Sequence, residues 1–219
     1  MTVRRPARTE RTREALLEAG RRLFCERPVD AVAIDDIVQA AEVSKGSFYN
    51  HFVDREALAR AVADEIRDRI ERRVDLTNEG VSDPAHRLVR GVCVYLRTGV
   101  DDPVRTGVWV RMHGGHMPVD APLNRGLVED LGLGLSSGRF QMPSLEAGLL
   151  FVAGTTHAAL ARVAHGTGPT LAESLARQMG GLILRGLGLA AEEADLIANQ
   201  CAEDIVRPSL QDLAPTRAR

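Results

Sequence analysis

The chain has 219 residues, 44% of them hydrophobic, 26% charged and 4% aromatic, with a formal net charge of −2. This length allows a small module plus a second, larger core, and so even a charge balance argues against a uniformly basic or acidic protein. The cysteines Cys25, Cys93 and Cys201 are odd in number and far apart, suggesting neither a disulfide framework nor a CxxC metal site.

The first thirteen residues hold five arginines (4, 5, 8, 11 and 13) and one acid, Glu10. A basic arm of this kind suits phosphate contact, because neutralising phosphates releases counterions. Leu16, Ala19, Leu23 and Phe24 then form an apolar stripe that predicts a helix from about Thr9 to Glu26, ended by Pro28. After a short connection, Ile34, Ile37, Val38 and Ala41 have the spacing of a short amphipathic helix. Only Glu42 and Val43 separate it from Ser44-Lys45-Gly46-Ser47-Phe48-Tyr49-Asn50-His51-Phe52, so the connection is the length of a helix-turn-helix turn.

Within that second helix Ser44 is a natural N-cap. Phe48 and Phe52 lie four apart and share a packing face with Lys45, while Ser47, Asn50 and His51 present groups of the kind that read base edges in a major groove. The helix start, with Lys45 and Gly46, would face a phosphate, and Tyr49 adds a phenolic donor. Lys45 is the only lysine in the chain.

Asp54 caps the next predicted helix, about Arg55 to Leu76, whose inner side carries Leu58, Val62, Ile66 and Ile70 among interleaved charges. Asn78-Glu79-Gly80 and Asp83-Pro84 break it. Further helices are expected at about Pro84–Thr98, Pro103–His113, Pro122–Leu135, Ser144–His165, Leu171–Leu187 and Ala191–Val206, with no strand alternation, so the fold class is all-α. The apolar stretch from Leu145 to Val163 is broken by Glu146, Thr155, Thr156, His157 and Arg162, which reads as a buried helix and not a membrane span. The N-terminus shows no apolar run of signal-peptide length, so a cytoplasmic location without a membrane partner is expected. The last-but-two and last-but-one helices are apolar nearly all round, which predicts a homodimer interface.

A small, partly apolar effector would suit a pocket of aromatic, methionine and a few polar side chains. The candidates are Tyr95, Trp109, Met112, His113, His116, Phe140, Phe151 and His157. His113-Gly114-Gly115-His116 invites a metal, but it lacks a third ligand nearby and its glycines argue for a loop. No metal and no cofactor are therefore expected.

From Thr9 to Leu58 the order helix, Ala-Ala-x-Val-Ser-Lys-Gly-Ser-Phe-Tyr-x-His-Phe, Asp-x-Glu-x-Leu resembles the DNA-binding domain of the TetR (tetracycline repressor) family of transcriptional regulators. The resemblance implies an N-terminal three-helix helix-turn-helix DNA-binding domain (1–53), a linking helix (54–77), and a helical ligand-binding and dimerisation domain (78–210) followed by a disordered tail (211–219). It also implies a dimer bound to a double-stranded, pseudo-palindromic operator and released by a small molecule. Arg4, Arg5, Arg8, Ser44, Lys45, Gly46 and Tyr49 would meet phosphates; Ser47, Asn50 and His51 would read bases. Two positions depart from the family pattern. Ala33 stands where a capping Ser or Thr is usual, and Glu42 where the turn usually has glycine. A helical enzyme or ligand-binding protein with acid-base histidines and no DNA role is the alternative reading, although no Gly-x-Ser-x-Gly, phosphate loop or His-Glu-x-x-His motif supports the enzyme.

Overall fold

The computed structural model describes residues 8–112, 124–165 and 168–207, and no strand occurs among them. The chain divides into two compact units.

The first unit contains α1 (Arg8–Glu26), a 3₁₀ turn at Val29–Ala31, α2 (Ile34–Ala40), α3 (Lys45–Tyr49), α4 (Arg55–Thr77) as far as Arg67, and α6 (Pro103–Met112) from Gly107 onward. Its core is the stripe expected from the sequence: Leu16, Phe24, Ile37, Phe48 and Leu58 lose all contact with solvent. Burying each such side chain contributes about 1.5–3 kcal/mol before entropy is set against it. Gly20 lets α1 approach α4, since a Cβ there would lie 3.2 Å from Leu58 Cδ2. Asp54 caps α4 as expected, its Oδ1 accepting from the Ala57 N–H at 2.6 Å. The next residue, Arg55, donates to the carbonyls of Asp30 (2.9 Å) and Val32 (3.3 Å), pinning the connection that leads into α2. This unit continues along α4 to Arg67.

The second unit holds the rest of α4, α5 (Pro84–Asp101), the start of α6, α7 (Arg125–Ser136), α8 (Leu145–Ala164), α9 (Gly168–Gly186) and α10 (Ala191–Ile205). α5 is its central post, packed against α7, α8, α9 and α10. This explains why Leu88, Val89, Val92, Cys93, Val94 and Leu96 are buried on several of its faces. Two arginines of α5 tie down the exit of α4: Arg90 donates to the Thr77 carbonyl from Nε (3.2 Å) and Nη2 (2.5 Å), and Arg87 to those of Asn78 (3.4 Å) and Val81 (3.3 Å). Arg87 Nε also meets the buried Asp130 of α7 at 2.5 Å. Burial pushes the Asp130 carboxyl up, and its bond to Arg87 pulls the other way.

α8 is long and apolar enough to cross a membrane by length and composition alone. Here it packs on α5, α7 and α9, with Leu149 and Leu160 fully buried. Predicted helices and observed ones agree to within a few residues where both can be compared; His113, Pro122 and the tail 211–219 lie outside the described residues.

Candidate DNA-binding surface

α2 ends in a Schellman turn. Glu42 N–H donates to the Gln39 carbonyl at 3.2 Å and Val43 N–H to that of Val38 at 3.0 Å, which puts Glu42 at the left-handed position with φ 55°. It is the only non-glycine residue with positive φ among those described. The chain then turns into α3, capped by Ser44: its Oγ accepts the Ser47 N–H at 3.1 Å and lies 2.8 Å from Ser47 Oγ. The α-helix proper is short, but Phe52 N–H still reaches the Phe48 carbonyl at 2.9 Å and extends the turn to Phe52.

Phe48 and Phe52 anchor this segment in the core, with ring centroids 6.0 Å apart. Arg13 of α1 lies over the outer face of that pair, its guanidinium carbon 5.6 Å from the Phe52 ring centre, a cation–π contact that no local spacing announces. Tyr49 stands edge-on to Phe48 at 5.4 Å and remains 51% exposed. Gly46 and Asn50 are exposed, while Ser47 and His51 are half-buried.

One expectation is corrected. Lys45 does not share the packing face of Phe48 and Phe52; at the first position of a five-residue helix its stem runs outward, and its Nζ pairs with Asp35 of α2 at 2.8 Å. The hydrogen bond to Asp35 raises the ammonium above its ordinary range. Asp36, the next acid of α2, pairs with Arg27 at 3.1 Å. Ala33 caps α2 with no side-chain bond, as its missing hydroxyl requires. Arg4 and Arg5 lie outside the described residues, as does the side chain of Arg8.

The side chains proposed to line an effector pocket are spread over both units. Trp109 is buried in the first, where Met112 packs against the core. In the second, Tyr95 donates from its hydroxyl to Glu71. Phe140 is buried against Gly134, filling the notch left by the absent side chain. The Phe151 ring covers Gly186, its Cζ 2.6 Å from where a Cβ would stand. His157 is half-buried in the middle of α8; His113 and His116 lie outside the described residues. Among the described residues no three His, Cys, Asp or Glu side chains are grouped to hold a metal ion. Burial pushes the Cys201 thiol up to about 11 and that of Cys93 higher still, so neither is a ready thiolate.

Comparison with known proteins falls on the same two halves. A profile described as bacterial regulatory proteins, tetR family, matches residues 16–62, and one described as the tetracyclin repressor-like C-terminal domain matches residues 83–200. The HTH-type transcriptional repressor DhaR of Mycobacterium sp. (strain GP1) is 43% identical over 75 residues, 34% of this chain and 38% of DhaR. The chain thus spans less than half the length of that curated relative. Among solved structures, RolR in complex with resorcinol superposes with a TM-score of 0.67 at 27% identity, covering 88% of this chain and 95% of RolR. A gamma-butyrolactone receptor described as ArpA-like shares the fold, with a TM-score of 0.56 at 22% identity over 91% of this chain and 100% of its own.

Proposed function

The chain belongs to the TetR family of bacterial regulatory proteins, and on that premise we propose that it is a dimeric transcriptional repressor that binds a pseudo-palindromic operator in the cytoplasm and is released by a small molecule. The observation that carries the reading is the α2–turn–α3 segment. Phe48 and Phe52 are sunk in the core, so α3 is held rigidly while Gly46, Tyr49 and Asn50 stay open to a partner. In this reading Asn50 and His51 reach base edges, with Ser47 at the margin. Ser44, Lys45, Gly46 and Tyr49 meet phosphates, together with Arg4, Arg5 and Arg8 of the arm. One reading helix per subunit enters successive major grooves, and half-sites stand about 34 Å or more apart.

Release needs an effector that prefers a different state of the dimer, since a ligand shifts an equilibrium only by its differential affinity. That RolR was crystallised with resorcinol makes small phenols the first compounds to screen. The division of labour in this proposal is residues 1–53 for DNA, 54–77 for linkage and 78–210 for ligand and dimer contacts. An enzymatic role is set aside, because the family acts by binding and not by turnover.

The test is selection of bound duplexes from a random pool by the purified full chain at two salt concentrations. An enriched inverted repeat, bound more weakly at the higher salt, is the expected outcome. No enrichment at either salt, before and after refolding the protein free of any carried-over ligand, would remove DNA binding from the proposal.

A further inference from the structure

The first turn of α2 carries two acids, and each is already bonded to a base of the same unit: Asp36 to Arg27 and Asp35 to Lys45. The second pair stands in solvent, with the Asp35 side chain 75% exposed and that of Lys45 53% exposed. Such a pair adds little to folding. Its effect falls on the only lysine of the chain, at the first position of α3, beside the Ser44 cap.

An ammonium 2.8 Å from a carboxylate presents a small dipole, and not a charge, to anything several ångströms away in water. Non-specific complexes are held by delocalised charge attraction and counterion release, so in them Lys45 is largely cancelled. A phosphate brought into contact with Nζ by a correctly docked α3 is different: it competes with Asp35 directly, and the pair is weak and exposed enough to exchange. The ammonium then counts in the specific complex and not in the others. From this geometry, and resting on the DNA-binding reading above, we propose that Asp35 is a specificity-determining residue: it withholds the charge of Lys45 from DNA met at random and yields it only to a phosphate in register.

The experiment compares wild type, Asp35→Asn, Lys45→Ala and the double variant on two duplexes, the selected inverted repeat and a scrambled duplex of equal composition, across a salt series. Asp35→Asn is expected to strengthen binding to the scrambled duplex several-fold more than to the repeat, and to steepen the scrambled-duplex salt dependence by roughly 0.9 per reading head. Adding Lys45→Ala should return scrambled-duplex binding to near the wild-type level, while weakening binding to the repeat whether or not Asp35 is present. If Asp35→Asn changes both duplexes by one factor, with the specificity ratio and the scrambled-duplex slope unmoved, the proposal is overturned; an altered thermal midpoint with that pattern would identify Asp35 as merely structural. Wild type that binds neither duplex at any salt would instead overturn the DNA-binding reading itself, and this proposal with it.

Discussion

Glu42 occupies the position where a helix most often ends on glycine. With φ at 55° its Cβ crowds the backbone, a conformation that costs a non-glycine residue roughly 1–2 kcal/mol. Gly188, at the equivalent turn after α9, shows the unstrained solution: φ is 97°, and Leu189 N–H reaches the Leu184 carbonyl at 3.1 Å. Replacing Glu42 by Gly should therefore stabilise the reading head. The relief is partly offset by about 0.4–1 kcal/mol of backbone freedom returned to the unfolded chain, leaving a net gain on the order of 0.5–1 kcal/mol. Thermal unfolding of the full chain would show it as a midpoint raised by a few degrees, with the proposed DNA contacts untouched because the Glu42 side chain makes no hydrogen bond or ion pair among the described residues. A lowered midpoint would mean that the Glu42 side chain contributes more than its conformation costs. The residues that made the segment readable from sequence are also local: Ser44 as cap, Phe48 and Phe52 four apart, a two-residue connection. What could not be read was the partner of Lys45, because Asp35 lies ten positions away across a turn and nothing in the spacing singles it out from its neighbour Asp36.

At the scale of elements, the start of α5 shows how one carboxylate joins distant parts of the second unit. Asp83 accepts from the backbone N–H groups of Ala85 (3.4 Å) and His86 (3.3 Å), lies 2.6 Å from His86 Nδ1, and receives Arg139 Nε at 3.0 Å. Arg139 in turn reaches Glu193 in the first turn of α10 at 2.8 Å. Partial burial alone would raise the carboxyl, but the bonds from Arg139 and His86 outweigh it and hold the group down at about 2. A carboxyl lowered in the folded state stabilises fully above its unfolded value, near 4, and loses that contribution as pH falls from about 4 toward 2. Asp83→Asn keeps a side chain able to cap a helix and removes the charge. It should lower the denaturant midpoint at pH 7 and flatten the decline of stability between pH 4 and 2; wild-type and variant curves running parallel through that window would sink the assignment. The Asp83-Pro84 pair was legible as a break between helices, yet its link to Arg139 was not, since the two lie 56 residues apart in a chain with 28 basic and 30 acidic side chains. Phe140 is the converse case. It entered the effector candidates as an aromatic side chain, and its burial in the notch at Gly134 is a packing that only the third dimension supplies.

For the molecule as a whole, the proposed dimer turns on the apolar surface left over on α8 and α9. The two helices pack on each other, and between them leave Leu150 (50%), Phe151 (40%) and Leu182 (51%) exposed. Three large apolar side chains on adjoining helices form a patch of the kind that marks a protein interface, whereas isolated exposed residues such as Leu196 on α10 need no such account. Phe151 also lies over Gly186, so part of this surface is ring face and bare backbone that a second copy could approach closely. If a second copy covers it, Leu150→Glu combined with Leu182→Arg would carry charge into an apolar contact and separate the subunits. Because both positions are solvent-exposed within one chain, helical content should hold while light scattering reports a change from dimer to monomer. Binding to the inverted repeat should then fall far more than binding to a scrambled duplex, since two linked heads gain from effective concentration and one head does not. A wild-type chain that is already monomeric at micromolar concentration would remove the interface, and the operator would then have to be read by a single α3, with no reason for its half-sites to be paired.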